Sequence, residues 1–200
     1  MAEKFSDAVL MELTKKDRQL GLSLIYGKYY SNILQFITKM IWDLKKAEDI
    51  AQNCFLSFIE NLEKIDLNKV PLKPYLFGIA QNKLYKENSC RKIEYELELA
   101  QNIANEVNQL NLLLSQELAQ QVNIVLSMMD VTYREILLLS DDQELTVAEI
   151  AMIYEETPTT IKGRIQRARA YFRNLMLHYL EQNKVLSEES INSIIKTVNC

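Results

Sequence analysis

The chain has 200 residues, 48% of them hydrophobic, and a formal net charge of −4, which suffices for one domain or two small ones with real cores. Only four Gly and three Pro, with few alternating β-branched runs, argue against sheets and for an all-α protein. No apolar run approaches the roughly 18 residues that would span a bilayer, so membrane insertion is not expected.

The first residues, MAEKFSDAVLMELTKKD, are charged throughout and lack a signal-peptide core, so a cytoplasmic protein is expected. Leu20, Leu24, Tyr29, Ile33, Phe36, Ile37 and Met40 then follow helical spacing, up to an end or break at Trp42-Asp43. Ala47, Ile50, Ala51, Cys54, Phe55, Phe58, Ile59 and Leu62 form a cleaner stripe, with Glu48, Asp49, Gln52 and Asn53 opposite it. Residues 61–74 carry two prolines and no periodicity, a loop signal. A third helix follows, with Tyr75, Leu76, Ile79, Ala80, Leu84 and Tyr85 apolar and Lys83, Lys86, Arg91 and Lys92 making its later half basic.

Residues 94–115 are acidic and rich in Asn and Gln and read as a linker, partly helical, between two domains. Leu118, Val122, Val125, Leu126 and Met129 then predict a helix face. Thr132 with Glu135 has the spacing of a capping box opening the next helix, and Thr146 with Glu149 repeats it. Val147, Ile150, Ala151 and Tyr154 share one face of that short helix. After a corner at Glu155-Glu156, Thr157-Pro158 starts another helix, whose apolar face is Ile161, Ile165, Ala168 and Phe172. Lys162, Arg164, Arg167, Arg169 and Arg173 lie off that face. A short helix, a corner and a basic second helix make a helix-turn-helix, whose second helix fits a DNA major groove. The competing reading is a packed helical hairpin with a solvated basic face. Charge favours DNA: eleven acids face one base from Glu94 to Ile150, whereas Thr157 to Leu180 holds five Lys/Arg and no acid. Local potential, rather than net charge, decides where a polyanion docks. Ser187 would cap a last short helix carrying Ile191, Ile194, Ile195 and Val198.

Taken together, these pieces resemble a bacterial RNA polymerase sigma factor of the extracytoplasmic function (ECF) type. AEDIAQNCFLSFIENLEKID (47–66) is similar to the family's polymerase-docking helix, and PYLFGIAQNKLYKENSCRK (74–92) to the helix facing the promoter minus-ten element. YREILLLSDDQELTVAEIAMIYEETPTTIKGRIQRAR (133–169) resembles the segment that reads the minus-thirty-five element. Each motif alone is weak; three in order at family spacing are specific. Departures are Tyr75 where Trp is usual, Gly78 and Gln81 at positions often arginine, Asn53 for a common Glu, and Glu155-Glu156 where the corner usually has Gly and an apolar residue.

The resemblance implies two small all-α domains joined by a linker: residues 1–93 for core polymerase and minus-ten DNA, 94–115 as linker, and 116–184 with the helix-turn-helix. Residues 185–200 form an extension. Polymerase contact then falls to Glu48, Asp49, Gln52, Asn53 and Phe55. Minus-ten contact falls to Asn68, Lys69, Asn82, Lys83, Lys86, Arg91 and Lys92, because a flipped base needs amide groups and the strand needs cations. In the second domain Thr159, Thr160, Lys162, Gly163 and Gln166 are placed for base edges, and Arg164, Arg167 and Arg169 for phosphates. Expected partners are core RNA polymerase, promoter DNA and an anti-sigma factor. Cys54, Cys90 and Cys200 are too scattered for a disulfide framework or zinc site. His178 stands alone, and no phosphate-binding glycine loop is present, so no metal, cofactor or catalytic residue is expected. The alternative is a stand-alone helix-turn-helix regulator that binds duplex DNA without polymerase.

Overall fold

A computed structural model of the chain describes residues 5–66, 70–89 and 111–183. Among these residues every regular element is helical: α1 (Asp7–Lys16), α2 (Arg18–Ile41), α3 (Leu44–Asn61), α4 (Leu72–Ser89), α5 (Asn111–Met128), α6 (Val131–Leu137), α7 (Val147–Tyr154) and α8 (Pro158–Gln182). The expected tail helix at 187–198 lies outside the described residues.

The first helix is one that the apolar periodicity does not announce. Ser6 accepts a hydrogen bond from the Val9 amide and starts α1, which buries Leu10 and Met11 against α2. Asp17 ends α1 in extended conformation and caps α2, accepting from the Leu20 amide at 3.0 Å. Leu20, expected on the apolar face of α2, is 48% exposed, and Ile25 begins the buried stripe instead. Asp7 ties the pair together, accepting from Tyr29 Oη at 2.6 Å and from Lys28 Nζ at 2.8 Å.

Trp42 closes α2 in left-handed conformation (φ 55°), and Asp43 caps α3. The stripe read on α3 is buried as expected through Phe58. Helix α4 adds Leu72 and Phe77, both fully buried, with the Phe77 ring edge-on to Phe36 at 5.4 Å.

The later helices depart from expectation in three places. Helix α5 already begins at Asn111, inside the stretch read as linker. Leu118 is 50% exposed, so the buried face of α5 starts with Val125 and Leu126. Asp130, not Thr132, caps α6, its carboxylate accepting from the Thr132 amide at 2.9 Å. That frees Glu135 from the expected capping box, and its side chain turns inward to 1% exposure. Arg134 is also buried and points its guanidinium at the closing carbonyls of α5, Leu126 and Ser127. A cation there opposes the negative end of the helix dipole.

Helix α6 runs into a π-helical turn, Leu138–Asp142, in which the Gln143 amide bonds the Leu138 carbonyl at 2.9 Å. Such turns insert one residue into a helix and rotate the residues beyond it. Here the turn aims Asp142 and Gln143 at the N-terminal helices. A continuous buried core joins the two groups of helices, running from Leu10 through Phe58 and Phe77 to Ile150 and Ala168.

Gly21 sits where α1 crosses α2 most closely. A Cβ at that position would lie 2.5 Å from the Thr14 backbone, too near for any side chain to yield. Gly21→Ala is therefore expected to lower stability by about 1–3 kcal/mol, as overpacking does, read as a lowered Tm; an unchanged Tm would show that α1 repositions freely.

Candidate nucleic-acid interface

The helix-turn-helix forms as its local chemistry dictates. Thr146 and Glu149 make a complete capping box: the Thr146 hydroxyl accepts from the Glu149 amide, and the Glu149 carboxylate accepts from the Thr146 amide at 2.8 Å. Helix α7 ends at Glu155 in left-handed conformation (φ 53°, ψ 37°), the geometry that glycine adopts without cost. Glutamate takes it at about 1–2 kcal/mol of backbone strain. The next residue compensates, because Glu156 Oε1 accepts from Arg164 at 2.8 Å across the corner. The Arg164 guanidinium also lies 5.2 Å over the Tyr154 ring. Thr157 caps α8, with Pro158 in its first turn.

On α8, Ile161, Ile165 and Ala168 are buried and Phe172 half-buried. Thr159, Lys162 and Gln166 form an exposed stripe at helical spacing, with Thr160 and Arg167 exposed beside it and Gly163 half-buried. The cations differ in their engagements. Arg167 Nε donates to the Gly163 carbonyl at 3.3 Å while its side chain stays at the surface. Arg164 is held by Glu156, and Arg169 donates to Asp141 at 3.0 Å. Thr160 shares a 2.8 Å hydroxyl contact with Thr157 and so belongs to the cap. Tyr171 packs against Tyr133 at 5.4 Å, as core-facing aromatics do.

In the N-terminal helices, Glu48, Asp49, Gln52 and Asn53 are all exposed on one face of α3, followed by Leu56, which is 56% exposed. Phe55, expected to contact polymerase directly, is 5% exposed. Its ring packs against Tyr26 at 4.9 Å and Tyr30 at 6.0 Å. Leu22, Tyr26, Phe55 and Ile59 line a shallow apolar hollow beside the polar face. On α4, Asn82 and Lys86 are exposed and Lys83 half-buried. Asn68, Lys69, Arg91 and Lys92 lie outside the described residues.

The residues that spacing failed to single out meet between the two groups of helices. Tyr85 Oη, on α4, donates to Glu135 Oε2, on α6, at 2.8 Å. Gln81 (5% exposed) and Tyr154 reach toward the same carboxyl without a well-formed bond to its second oxygen, and the Arg164 charge lies near. Burial raises the Glu135 carboxyl above the ordinary carboxylate range, while those donors and Arg164 pull it back down. The same burial, with Glu135 beside it, pushes the Tyr85 hydroxyl up to about 12. Farther along, Lys39 pairs with Asp142, Asn32 donates to Gln143 Oε1 at 3.3 Å, and Lys73 bonds the Gln143 carbonyl.

A helical chain with an exposed basic stripe on the second helix of a helix-turn-helix is in class a DNA-binding protein, and an earlier helix carries a separate exposed polar face. Comparison with known proteins is specific. Residues 25–92 match the model for sigma-70 region 2 and residues 119–171 the model for sigma-70 region 4. SigW of Bacillus subtilis, an ECF RNA polymerase sigma factor, is 27% identical over 170 residues, covering 80% of this chain and 90% of SigW. The ECF RNA polymerase sigma-E factor of Escherichia coli K12 is 26% identical over 188 residues, covering 87% and 96%. In fold, the chain is similar to CnrH, solved in complex with the cytosolic domain of CnrY (TM-score 0.65, 19% identity, 85% of this chain and 96% of CnrH). It is also similar to RpoE of Bartonella quintana, solved with the anti-sigma factor NepR (TM-score 0.61, 23% identity, 80% and 97%). The chain belongs to the ECF sigma factors of the sigma-70 family. It is an alternative sigma factor that directs RNA polymerase to promoters, and the region 2 match does not favour a stand-alone regulator.

Glu135 supplies a pH test. A carboxyl whose folded value is raised contributes stability that is complete below its unfolded value and is lost as pH rises through the folded value. The Tm of the parent relative to Glu135→Gln is therefore expected to fall as pH climbs out of the ordinary carboxylate range toward neutrality. A difference independent of pH would mean that the carboxyl titrates normally.

Proposed function

We propose a division of labour within this sigma factor, carried chiefly by the exposed stripe of α8 on an otherwise acidic chain. Residues 1–93 dock on core polymerase and hold the melted minus-ten strand, 94–115 link, and 116–184 read the minus-thirty-five element. On α3, Glu48, Asp49, Gln52 and Asn53 make the polar docking face. Phe55 acts from beneath, its packing against Tyr26 and Tyr30 setting the surface that polymerase meets. Asn82, Lys83 and Lys86, with Asn68, Lys69, Arg91 and Lys92, take the single strand. Thr159, Lys162, Gly163 and Gln166 face base edges, with Thr160 acting mainly through the cap. Arg167 takes a phosphate directly, and Arg164 and Arg169 do so on release from Glu156 and Asp141. An anti-sigma partner belongs to the proposal, since RpoE was solved with the anti-sigma factor NepR. The site of action is the cytoplasm, where polymerase and DNA are; among the described residues no helix is long and apolar enough to cross a membrane. Transcription in vitro with core polymerase on genomic fragments, with start sites mapped, tests the reading as a whole: no polymerase-dependent starts would overturn it.

The parts separate by mutation. Arg167→Ala is expected to weaken promoter binding at all sequences and to reduce the log–log salt slope by about 0.9, one phosphate's worth. Lys162→Ala should instead change preference among minus-thirty-five sequences, by about 1–3 kcal/mol for a good base contact. Titration of holoenzyme binding against salt and against a promoter library distinguishes the two.

Docking has its own check. Asp49→Ala with Gln52→Ala leaves the core untouched, both side chains being exposed. Core-polymerase affinity is expected to drop roughly fivefold or more, as for loss of a rim contact pair of about 1 kcal/mol, with the helical circular dichroism unchanged. Undiminished pull-down of core enzyme would return that face to plain solvation.

A further inference from the structure

Helix α5 is longer than the helix that covers it. Val125 is buried with Met176 and Leu180 of α8, and Val122 packs against them. Leu126 and Met129, later in α5, join the main core with Ile165 and Ala168, which stand earlier in α8. The two helices therefore run antiparallel, and α8 stops at Gln182, just past Leu180. By contrast, α5 starts at Asn111, about three turns before Val122. Its first turns thus project beyond the end of α8. By helical spacing Leu114 and Leu118 continue the face of Val122 and Val125. Leu118 is 50% exposed.

The segment that follows α8 fits this apolar strip. Residues 184–200 lie outside the described residues, and promoter reading gives them no part. Ile191, Ile194, Ile195 and Val198 fall at i, i+3, i+4 and i+7, behind Ser187 as a capping residue. A helix over that stretch would be about 17 Å long, against roughly 16 Å of α5 before Val122. Residues 183–186 then make a connection of usual length between helices. So short a helix is marginal alone in water and needs a surface to form on. A strip beside the end of α8 meets the tail at an effective concentration in the millimolar range, well above that of a second copy at micromolar concentration. We propose that residues 187–198 dock as a helix on the first turns of α5, extending the seam between α5 and α8. Those turns lie where the linker joins the helix-turn-helix unit, so the docked tail also fixes the spacing between the two DNA-reading units. That second role rests on the functional reading above; the docking does not.

Amide hydrogen exchange on the free full-length factor at micromolar concentration tests the docking. Ile194→Asp with Ile195→Asp is expected to speed exchange over residues 114–118 about tenfold or more, while α7 keeps its parental rates. Leu118→Asp should do the same to residues 191–198, a reciprocity that two separately frayed segments do not show. No change in either variant overturns the docking, as does an acceleration that spreads through α7. Protection of 114–118 that grows with protein concentration assigns the strip to a second copy. Protection that arises only with core polymerase assigns it to that partner, and either result overturns the proposal. Spacing is read by holoenzyme transcription from one mapped promoter whose two elements are moved apart in single base-pair steps. Unwinding of residues 111–117 would lengthen the linker by about 13 Å, or about four base pairs at 3.4 Å per pair. On the lengthened promoters the Ile194→Asp, Ile195→Asp variant is expected to keep about threefold more activity than the parent, each normalised to the unaltered promoter. Matching spacer profiles overturn the spacing role. Failure of the sigma-factor reading looks different: no polymerase-dependent start from the unaltered promoter with either protein.

Discussion

Burial of one carboxyl organises the molecule. Glu135 lies almost wholly out of solvent where α4, α6, α7 and α8 approach one another, and it is bonded to Tyr85. A carboxyl so placed is costly unless donors surround it. Tyr85 donates a hydroxyl from α4, Gln81 and Tyr154 approach from α4 and α7, and Arg164 places a charge nearby from α8. Each donor is thereby oriented. Tyr154 presents its ring to Arg164, and Arg164 reaches Glu156 across the corner. The geometry of the helix-turn-helix is thus coupled to α4. A polar node of this kind ties α4, α6, α7 and α8 to one another through residues distant in sequence.

The same economy governs cations on the recognition helix. Five basic residues follow Thr157 before the next acid, yet Arg164 and Arg169 are spoken for by Glu156 and Asp141. Lys162 and Arg167 stand at the surface beside Gln166. A chain of net charge −4 thereby presents a narrow positive stripe instead of a broad basic patch. Attraction for DNA is local and directional, and non-specific binding elsewhere is opposed by the acidic remainder. Carboxylates that neutralise Arg164 and Arg169 also set their reserve: a phosphate that displaces either one must compete with an ion pair already made.

Helical capping and apolar spacing were legible without any structure. Thr146 with Glu149 and Thr157 with Pro158 behave as local rules require, since a cap involves only the first turn. Ile161, Ile165 and Ala168 are buried, as are Ala47, Ile50, Cys54 and Phe58, because a stripe at helical spacing has one way to leave water. Helix α1 was not legible: its ten residues mix Leu and Met with acids and lysines, and what orders them is close packing of Thr14 on Gly21, a contact between helices. Glu135 was misread for a related reason. Its spacing from Thr132 fits a cap, but Asp130 stands one residue before the helix and takes the free amide first.

The sequence by itself therefore determined helical class, the helix-turn-helix, the exposed faces of α3 and α8, and membership of a family whose motifs occur in order. These depend on interactions within a turn or two of helix, or on motif order along the chain. Tertiary structure alone decided which cations are paired, that Phe55 is buried against Tyr26 and Tyr30, and that the π-helical turn aims Asp142 and Gln143 at α2 and α4. Those partners are separated by 70 residues for Lys73 and Gln143 and by 111 for Asn32 and Gln143. No local pattern encodes such pairings. They arise only when packing of the apolar faces brings distant polar groups within reach, and burial then compels each to find a partner.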